Sequence, residues 1–142
     1  MKRKMSVMLV LVFCVSMCLS SMSFAVSDQI SSSMAGYNVA GKLSMGSDWA
    51  SASTMSGAPG AYKYAAVDYC YEWGEIGNYH YESGEFSGSY YAGVQVNAGH
   101  TNPVSKGALG RHIVTYGAHS WDPQKVDPFP TRVGTWYGDL PD

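Results

Sequence analysis

The strongest constraint on the fold is a strict alternation of side-chain character between Ala65 and Trp73. Apolar or aromatic residues occupy every odd position of this stretch, whereas Asp68, Cys70 and Glu72 occupy even positions between them. Successive side chains of a β-strand point to opposite faces, so a period of two separates a core face from a more polar face. The stretch is therefore predicted to be a half-buried strand.

Runs with a similar alternation of residue types recur along the chain, at a spacing of roughly ten residues. They are separated by Gly, Asn, Ser and Pro. The predicted strands fall within residues 37–45, 49–56, 65–73, 79–82, 90–97 and 108–116. The last run is apolar on both faces, which indicates a central strand. Apolar residues at helical spacing are absent from windows of ten or more residues. The predicted fold class is therefore all-β, a small antiparallel β-sandwich or barrel of about six or seven short strands.

The N-terminus has the three parts of a secretory signal peptide. Basic residues at positions 2–4 precede an apolar run of 13 residues at 7–19, and small residues lead to a cleavage site after Ala25. A run of that length is shorter than the roughly 20 residues that span a bilayer as a helix. We therefore expect a secreted, extracellular protein that begins at Val26 and has no stable membrane insertion after cleavage.

Composition divides the chain into four segments. Residues 1–25 are the predicted signal peptide, and residues 26–36 are predicted to be a flexible Ser-rich leader. Residues 37–122 carry the predicted β-sandwich. Residues 123–142 form a predicted extended tail, because proline cannot occupy a central strand and this segment contains four prolines.

Cleavage after Ala25 changes the net charge of the protein. Removal of residues 1–25 leaves 117 of the 142 residues, with 6 of the 9 basic residues and all 11 acidic ones, so the formal charge becomes −5. Nucleic-acid binding requires a basic surface, which excludes nucleic acid as an expected partner. One cysteine, Cys70, remains. It is expected to be either a semi-buried or unpaired surface thiol or an intermolecular bridge, and the carboxylates on both sides disfavour a thiolate nucleophile.

Histidines offer a weak candidate for a metal site. His112 and His119 lie seven residues apart across a predicted turn at Gly117, and Asp122 could supply a third ligand. Neither histidine belongs to a closely spaced zinc motif such as His-x-x-x-His. We therefore predict no cofactor.

Acidic residues gather around the third and fourth predicted strands. Glycoside hydrolysis requires two carboxyl groups that flank a sugar. A domain of this size has little room for a deep cleft, so no catalytic residue is assigned and the protein is predicted not to be an enzyme. The acidic set consists of Asp68, Glu72, Glu75, Glu82 and Glu85.

Aromatic residues are the most abundant material for a contact surface. The segment after Ala25 has 17 of them, 11 being Tyr. Aromatic rings provide contact area at a low cost in conformational entropy, and exported modules use them to bind sugars and proteins. The candidate binding residues are Tyr91, Trp73, Tyr79, Tyr81 and Trp121.

Two segments carry a resemblance to known proteins. The run HIVTYGAHSW at 112–121 looks like the closing hairpin of small exported β-rich bacterial proteins, and YNVAGKLS at 37–44 has the same texture. Some such proteins are similar to lactococcin-like bacteriocins. The resemblance implies a compact β-sandwich that acts at the envelope of a target cell, and it supplies no catalytic residue.

Two functional hypotheses remain open at this point. The first is a non-enzymatic exported module that binds a cell-envelope component, a glycan or a protein, with bacteriocin-like activity as one version. The second is a small extracellular hydrolase that uses the acidic set or a histidine-bound metal. A hydrolase requires polar groups that converge in one concave pocket, whereas a binding module requires an exposed aromatic surface.

Export gives the first testable prediction. Mass spectrometry of the culture medium should detect a form whose first residue is Val26, because the signal peptide is removed after Ala25. Recovery of the protein only at full length and bound to cells would contradict the prediction.

Overall fold

A computed structural model describes residues 25–135, which form nine β-strands and one short 3-10 helix. The strands are β1 (Val26–Met34), β2 (Tyr37–Met45), β3 (Trp49–Ser56), β4 (Tyr62–Glu72), β5 (Tyr79–Gly88), β6 (Ala92–Asn97), β7 (Val104–Tyr116), β8 (His119–Trp121) and β9 (Thr131–Gly134), and the 3-10 helix is Pro123–Lys125. The predicted signal peptide lies almost entirely outside the described residues. Within these residues, no helix is long and apolar enough to cross a bilayer.

The strands form two sheets whose pairings are all antiparallel. A four-stranded sheet has the order β1-β2-β3-β6, and a five-stranded sheet has the order β5-β4-β7-β8, with β9 also paired to β7. The sheets pack face to face and, over residues 25–135, do not close into a barrel. The predicted all-β sandwich is confirmed. It has nine strands rather than six or seven, because β1, β8 and β9 lie outside the six predicted runs.

The segment expected to be a flexible leader forms strand β1 instead. It pairs with β2 along its whole length, from Val26 opposite Met45 to Met34 opposite Tyr37. The connecting residues 35 and 36 both have positive φ, at 51° and 82°, as in the two-residue turns that match the twist of a hairpin. The Ala-Gly sequence of this turn is a weaker signal than Asn-Gly, which explains why the hairpin was not predicted.

The segment after Asp122 also differs from the extended tail that was expected. Its β9 pairs with the middle of β7, from Thr131 opposite Gly110 to Gly134 opposite Gly107. Phe129 is buried just before this strand. The prolines lie outside β9, so they do not interrupt its hydrogen bonds. The expected anchor at positions 136–137 lies outside the described residues.

Small residues and tyrosines fill the space between the sheets. Tyr69 and Tyr71 of β4 are fully buried, with ring centroids 5.4 Å apart, and they pack against Leu43 and several alanines. A buried phenol needs a hydrogen-bond partner. The Tyr69 hydroxyl has one in the Ser105 hydroxyl, 2.6 Å away. The core face predicted for β4 is the observed one, but the strand is not half-buried, because Ala66, Asp68 and Cys70 on its other face are buried as well.

A buried histidine connects the two sheets. The Thr54 hydroxyl of β3 donates to the carbonyl oxygen of Tyr64 at 2.7 Å, and its oxygen lies 2.9 Å from Nδ1 of His112 on β7. Because that hydroxyl has only one proton, Nδ1–H of His112 is the donor in the second bond. Nε2 then accepts from the Thr131 hydroxyl at 3.1 Å. Burial lowers the pKa of His112 to about 4, so the imidazole is neutral near pH 7 and its Nε2 is an acceptor.

Acid should therefore weaken the fold over a defined range. Unfolded His112 takes up a proton near its ordinary pKa of 6.5, whereas the folded form resists protonation until about pH 4. Since the unfolded state binds more protons between these values, the free energy of unfolding should fall by up to about 3 kcal/mol as the pH drops across them. Urea unfolding at fixed pH steps measures this change. The His112→Gln variant should lose that part of the slope, and an unchanged slope would contradict the assignment.

Candidate binding surfaces

An exposed tyrosine borders a depression on the described surface. Tyr91 is 58% exposed, and its ring lies across Gly93 of β6, where a methyl group would overlap the tyrosine hydroxyl. The depression has a volume of about 380 Å³ and opens on the outer face of the four-stranded sheet. We call this surface the Tyr91 face, and its side chains are Tyr91, Lys42, Ser44, Ser51, Ser53 and Gln95.

The strand register arranges these polar groups in two rows. One row crosses the sheet as Gln29, Lys42, Ser53 and Gly93, and the next crosses it as Ser27, Ser44, Ser51 and Gln95. Residues that are paired across antiparallel strands project from the same face. The inward residues between them, such as Leu43 and Ala52, are buried in the core. The result is a flat array of hydroxyl and amide groups with an aromatic ring at one side.

A second aromatic cluster lies at one end of the sandwich. Trp73 follows β4, is 39% exposed and stacks on His100, with centroids 4.0 Å apart and planes at 22°. The His80 ring lies 4.6 Å from that of His100. The Nε2 atom of His80 is buried and has no hydrogen-bond partner among residues 25–135. We call this group the Trp73 cluster.

A chain of hydrogen bonds centred on the Tyr71 hydroxyl contacts the Trp73 cluster. The Tyr71 hydroxyl is 3.0 Å from Nδ1 of His100 and 3.3 Å from a carboxylate oxygen of Glu82, and it accepts the backbone N–H of Gly99 at 3.1 Å. Burial, followed by the Glu82 charge, raises the pKa of Tyr71. A phenol that remains protonated can orient the imidazole, and such positioning is a requirement of general base catalysis.

The other three candidate aromatics lie apart from both surfaces. Tyr79 and Tyr81 project from the outer face of β5, opposite Glu72 and Cys70 respectively. Burial, and next the neighbouring Cys70, raise the pKa of Tyr81. Trp121 is half-buried and packs against the smaller core cluster at the β7–β8 hairpin. The five candidates are therefore divided among several regions rather than one.

Four of the five acidic candidates have a separate partner each. Asp68 accepts from Arg111 at 2.9 Å and from Ser83 at 2.6 Å, and Glu72 pairs with Lys106 at 3.2 Å. Glu85 accepts from Tyr64 at 2.7 Å, and Glu82 accepts from Tyr71. Burial, followed by the Glu85 hydrogen bond, raises the pKa of Tyr64 to about 12. Glu75 lies in the exposed β4–β5 loop.

The two candidate metal ligands are not brought together. His112 is buried between the sheets with both ring nitrogens bonded to threonine hydroxyls, whereas His119 is exposed on β8, opposite Tyr116. Among residues 25–135, no group of three or more His, Cys, Asp or Glu side chains is placed to hold a metal ion.

Both surfaces contain residues that the sequence did not single out. Lys42 and the serines of the Tyr91 face alternate with buried residues in β2 and β3, which is the signal that could have found them. His80 and His100 are 20 positions apart and meet only because β5 and the loop after β6 converge at the end of the sandwich. No local spacing predicts that contact.

A comparison of the chain with known protein families, characterised proteins and solved structures finds no match.

Cys70 gives a prediction about reactivity. The residue is fully buried, so it cannot reach a second molecule while the protein is folded. After removal of residues 1–25, the native protein should react slowly with a thiol reagent such as DTNB and release one equivalent rapidly in denaturant. A dimer on non-reducing gels that Cys70→Ser abolishes would contradict the buried position.

Proposed function

We propose that this chain is an exported, non-catalytic module that binds a cell-envelope component, a glycan or a protein through the Tyr91 face. The observation that carries the proposal is the exposed Tyr91 ring beside a depression lined by hydroxyl, amide and ammonium groups. Aromatic rings flanked by adaptable polar groups are typical of recognition surfaces. Because the polar residues stand on paired strands, the strand register fixes their backbone positions before a ligand arrives.

Export is supported by the three-part N-terminus and by the position of strand β1. Strand β1 starts at Val26, the residue after the proposed cleavage site, so cleavage after Ala25 leaves β1 whole. An envelope component or an extracellular glycan is then accessible to the protein.

The non-catalytic part of the proposal is supported by the acidic residues. Asp68 and Glu85 line one depression of the five-stranded sheet, but Asp68 is paired with Arg111 and Glu85 accepts from Tyr64, while Glu72 is paired with Lys106 elsewhere on the sheet. A glycoside hydrolase instead requires two carboxyl groups that face one another across a substrate. The Tyr91 depression has no carboxylate in its lining.

Bacteriocin-like activity is one version of this proposal. It rests on the resemblance of residues 112–121, which form the β7–β8 hairpin, and of residues 37–44, which lie in β2. In this version the Tyr91 face contacts the envelope of a target cell. Growth inhibition by the purified protein tests it separately from binding.

Replacement of Tyr91 tests the proposed contact surface. A pull-down against cell-envelope fractions and a glycan array identify a partner first. Tyr91→Ala should then weaken binding by about 1–3 kcal/mol, because an exposed aromatic anchor is lost. The matched control is Tyr90→Ala, since Tyr90 is the neighbouring ring and is 99% exposed but does not line the depression. Equal losses for both variants, or none for Tyr91→Ala, would contradict the proposal.

Catalytic activity would also contradict the proposed binding function, and the structure indicates which residues a hydrolase could use. The Glu82–Tyr71–His100 chain is the arrangement through which a hydrolase could operate. Turnover of a glycan or peptidoglycan substrate that His100→Ala abolishes, while Tyr91→Ala leaves it unchanged, would favour the hydrolase hypothesis.

A further inference from the structure

The distribution of charge marks one lysine as different from the other basic residues. The side chain of Lys42 makes no hydrogen bond or ion pair with any other residue of the described range 25–135. Every other basic side chain of that range has a partner. Lys63 donates to the carbonyl oxygens of Ala61 and Ser89, and the remaining pairs are Lys106–Glu72, Arg111–Asp68, Lys125–Asp122 and Arg132–Asp127.

Lys42 also lies where a ligand would contact it. It lines the depression of the Tyr91 face and stands between Gln29 and Ser53 in its row. Lysines on edge strands can protect a sheet from pairing with another molecule. Strand β2 is internal, paired on both sides, so Lys42 has no such role.

The surroundings of Lys42 contain donors and acceptors but no negative charge. The lining consists of serine hydroxyls, the Gln95 amide, the Tyr91 ring and short apolar or backbone groups. The depression is thus free of carboxylates on a chain that has 11 acidic residues. An unpaired ammonium in such a site attracts an anionic group, since no protein carboxylate competes for it.

The chemistry of the whole face specifies the rest of the ligand. Serine and glutamine side chains both donate and accept hydrogen bonds, which matches a ligand rich in hydroxyl groups. The Tyr91 ring offers an apolar face for stacking at one side of the array. A ligand that satisfies all three elements carries hydroxyl groups, one apolar face and an acidic group.

We propose that the Tyr91 face binds an acidic saccharide, with Lys42 as the residue that holds its carboxylate or phosphate group. The inference rests on the proposed function and names the ligand class for the same surface. Gly93 is a positioning residue in this assignment, because its missing side chain leaves the space that the Tyr91 ring occupies.

Titration calorimetry with defined oligosaccharides tests the assignment. The probes are trigalacturonic acid, the uncharged galactotriose of the same length, and a galactotriose that carries one phosphate group, which distinguishes phosphate from carboxylate. One of the two acidic probes should bind at least about tenfold more tightly than galactotriose, as expected for one charge-assisted contact. The preference should decrease as salt rises, because the site is open to solvent.

Substitutions at Lys42 separate charge recognition from the rest of the surface. Lys42→Gln should remove the preference for the acidic probe and leave galactotriose binding within about twofold, whereas Lys42→Arg should retain most of it. The matched control is Lys125→Gln, because Lys125 is an exposed lysine far from the depression in sequence and outside its lining. Circular dichroism confirms that each variant is folded.

The outcomes distinguish this inference from the proposed function. If the acidic preference persists in Lys42→Gln, or if no preference exists while Tyr91→Ala still weakens binding to some partner, the ligand class is wrong and the contact surface stands. If neither acidic probe binds and Tyr91→Ala affects no partner, both proposals fail. Gly93→Ala, which displaces the Tyr91 ring, should weaken binding of acidic and neutral probes alike, and an unchanged affinity would contradict the role of the ring.

Discussion

The sandwich depends on the neutral imidazole of His112, which joins the two sheets through hydroxyl groups. Thr54 contacts it from the four-stranded sheet and Thr131 from β9, so the ring has a partner at both nitrogens. Gly41 and Gly110 leave the space that the ring fills, since a methyl group at either position would overlap the imidazole or the Thr131 hydroxyl. A buried polar network of this kind is stable only when every member is satisfied, and it then fixes how the sheets face one another.

This inner arrangement determines what the outer faces can do. Because tyrosines, small residues and one histidine fill the space between the sheets, the alternate positions of β2 and β3 point outward with serines and Lys42. A flat polar surface on paired strands changes little when a ligand arrives, which suits recognition. The ends of the sandwich are less regular, and there Trp73 and two histidines from distant parts of the chain form a partly buried cluster.

Ion pairing determines which positive charges on the described surface remain without a partner. Four Lys and Arg side chains form ion pairs with carboxylates. The Lys63 ammonium donates to backbone carbonyl oxygens instead. Exposed pairs of this kind contribute little to stability. Their main consequence is to leave the ammonium of Lys42 as the unmatched positive charge of the described residues, within a depression that has no carboxylate. The unpaired Lys or Arg charge of the described residues therefore lies in one place, the Tyr91 face.

The amino-acid sequence alone was enough to predict the all-β class and the inner face of β4, because alternation with a period of two is a local property of neighbouring residues. It did not predict β1 or β9, since pairing with a distant strand supplies the hydrogen bonds that their own residues do not specify. The sequence identified the candidate aromatic residues but did not show which of them share a surface. Only the register between strands places Lys42 beside Ser53 and opposite Gln29, and only the meeting of the two sheets buries His112. Register and sheet packing depend on contacts between residues far apart in the chain, so the tertiary structure alone decided which side chains share a surface.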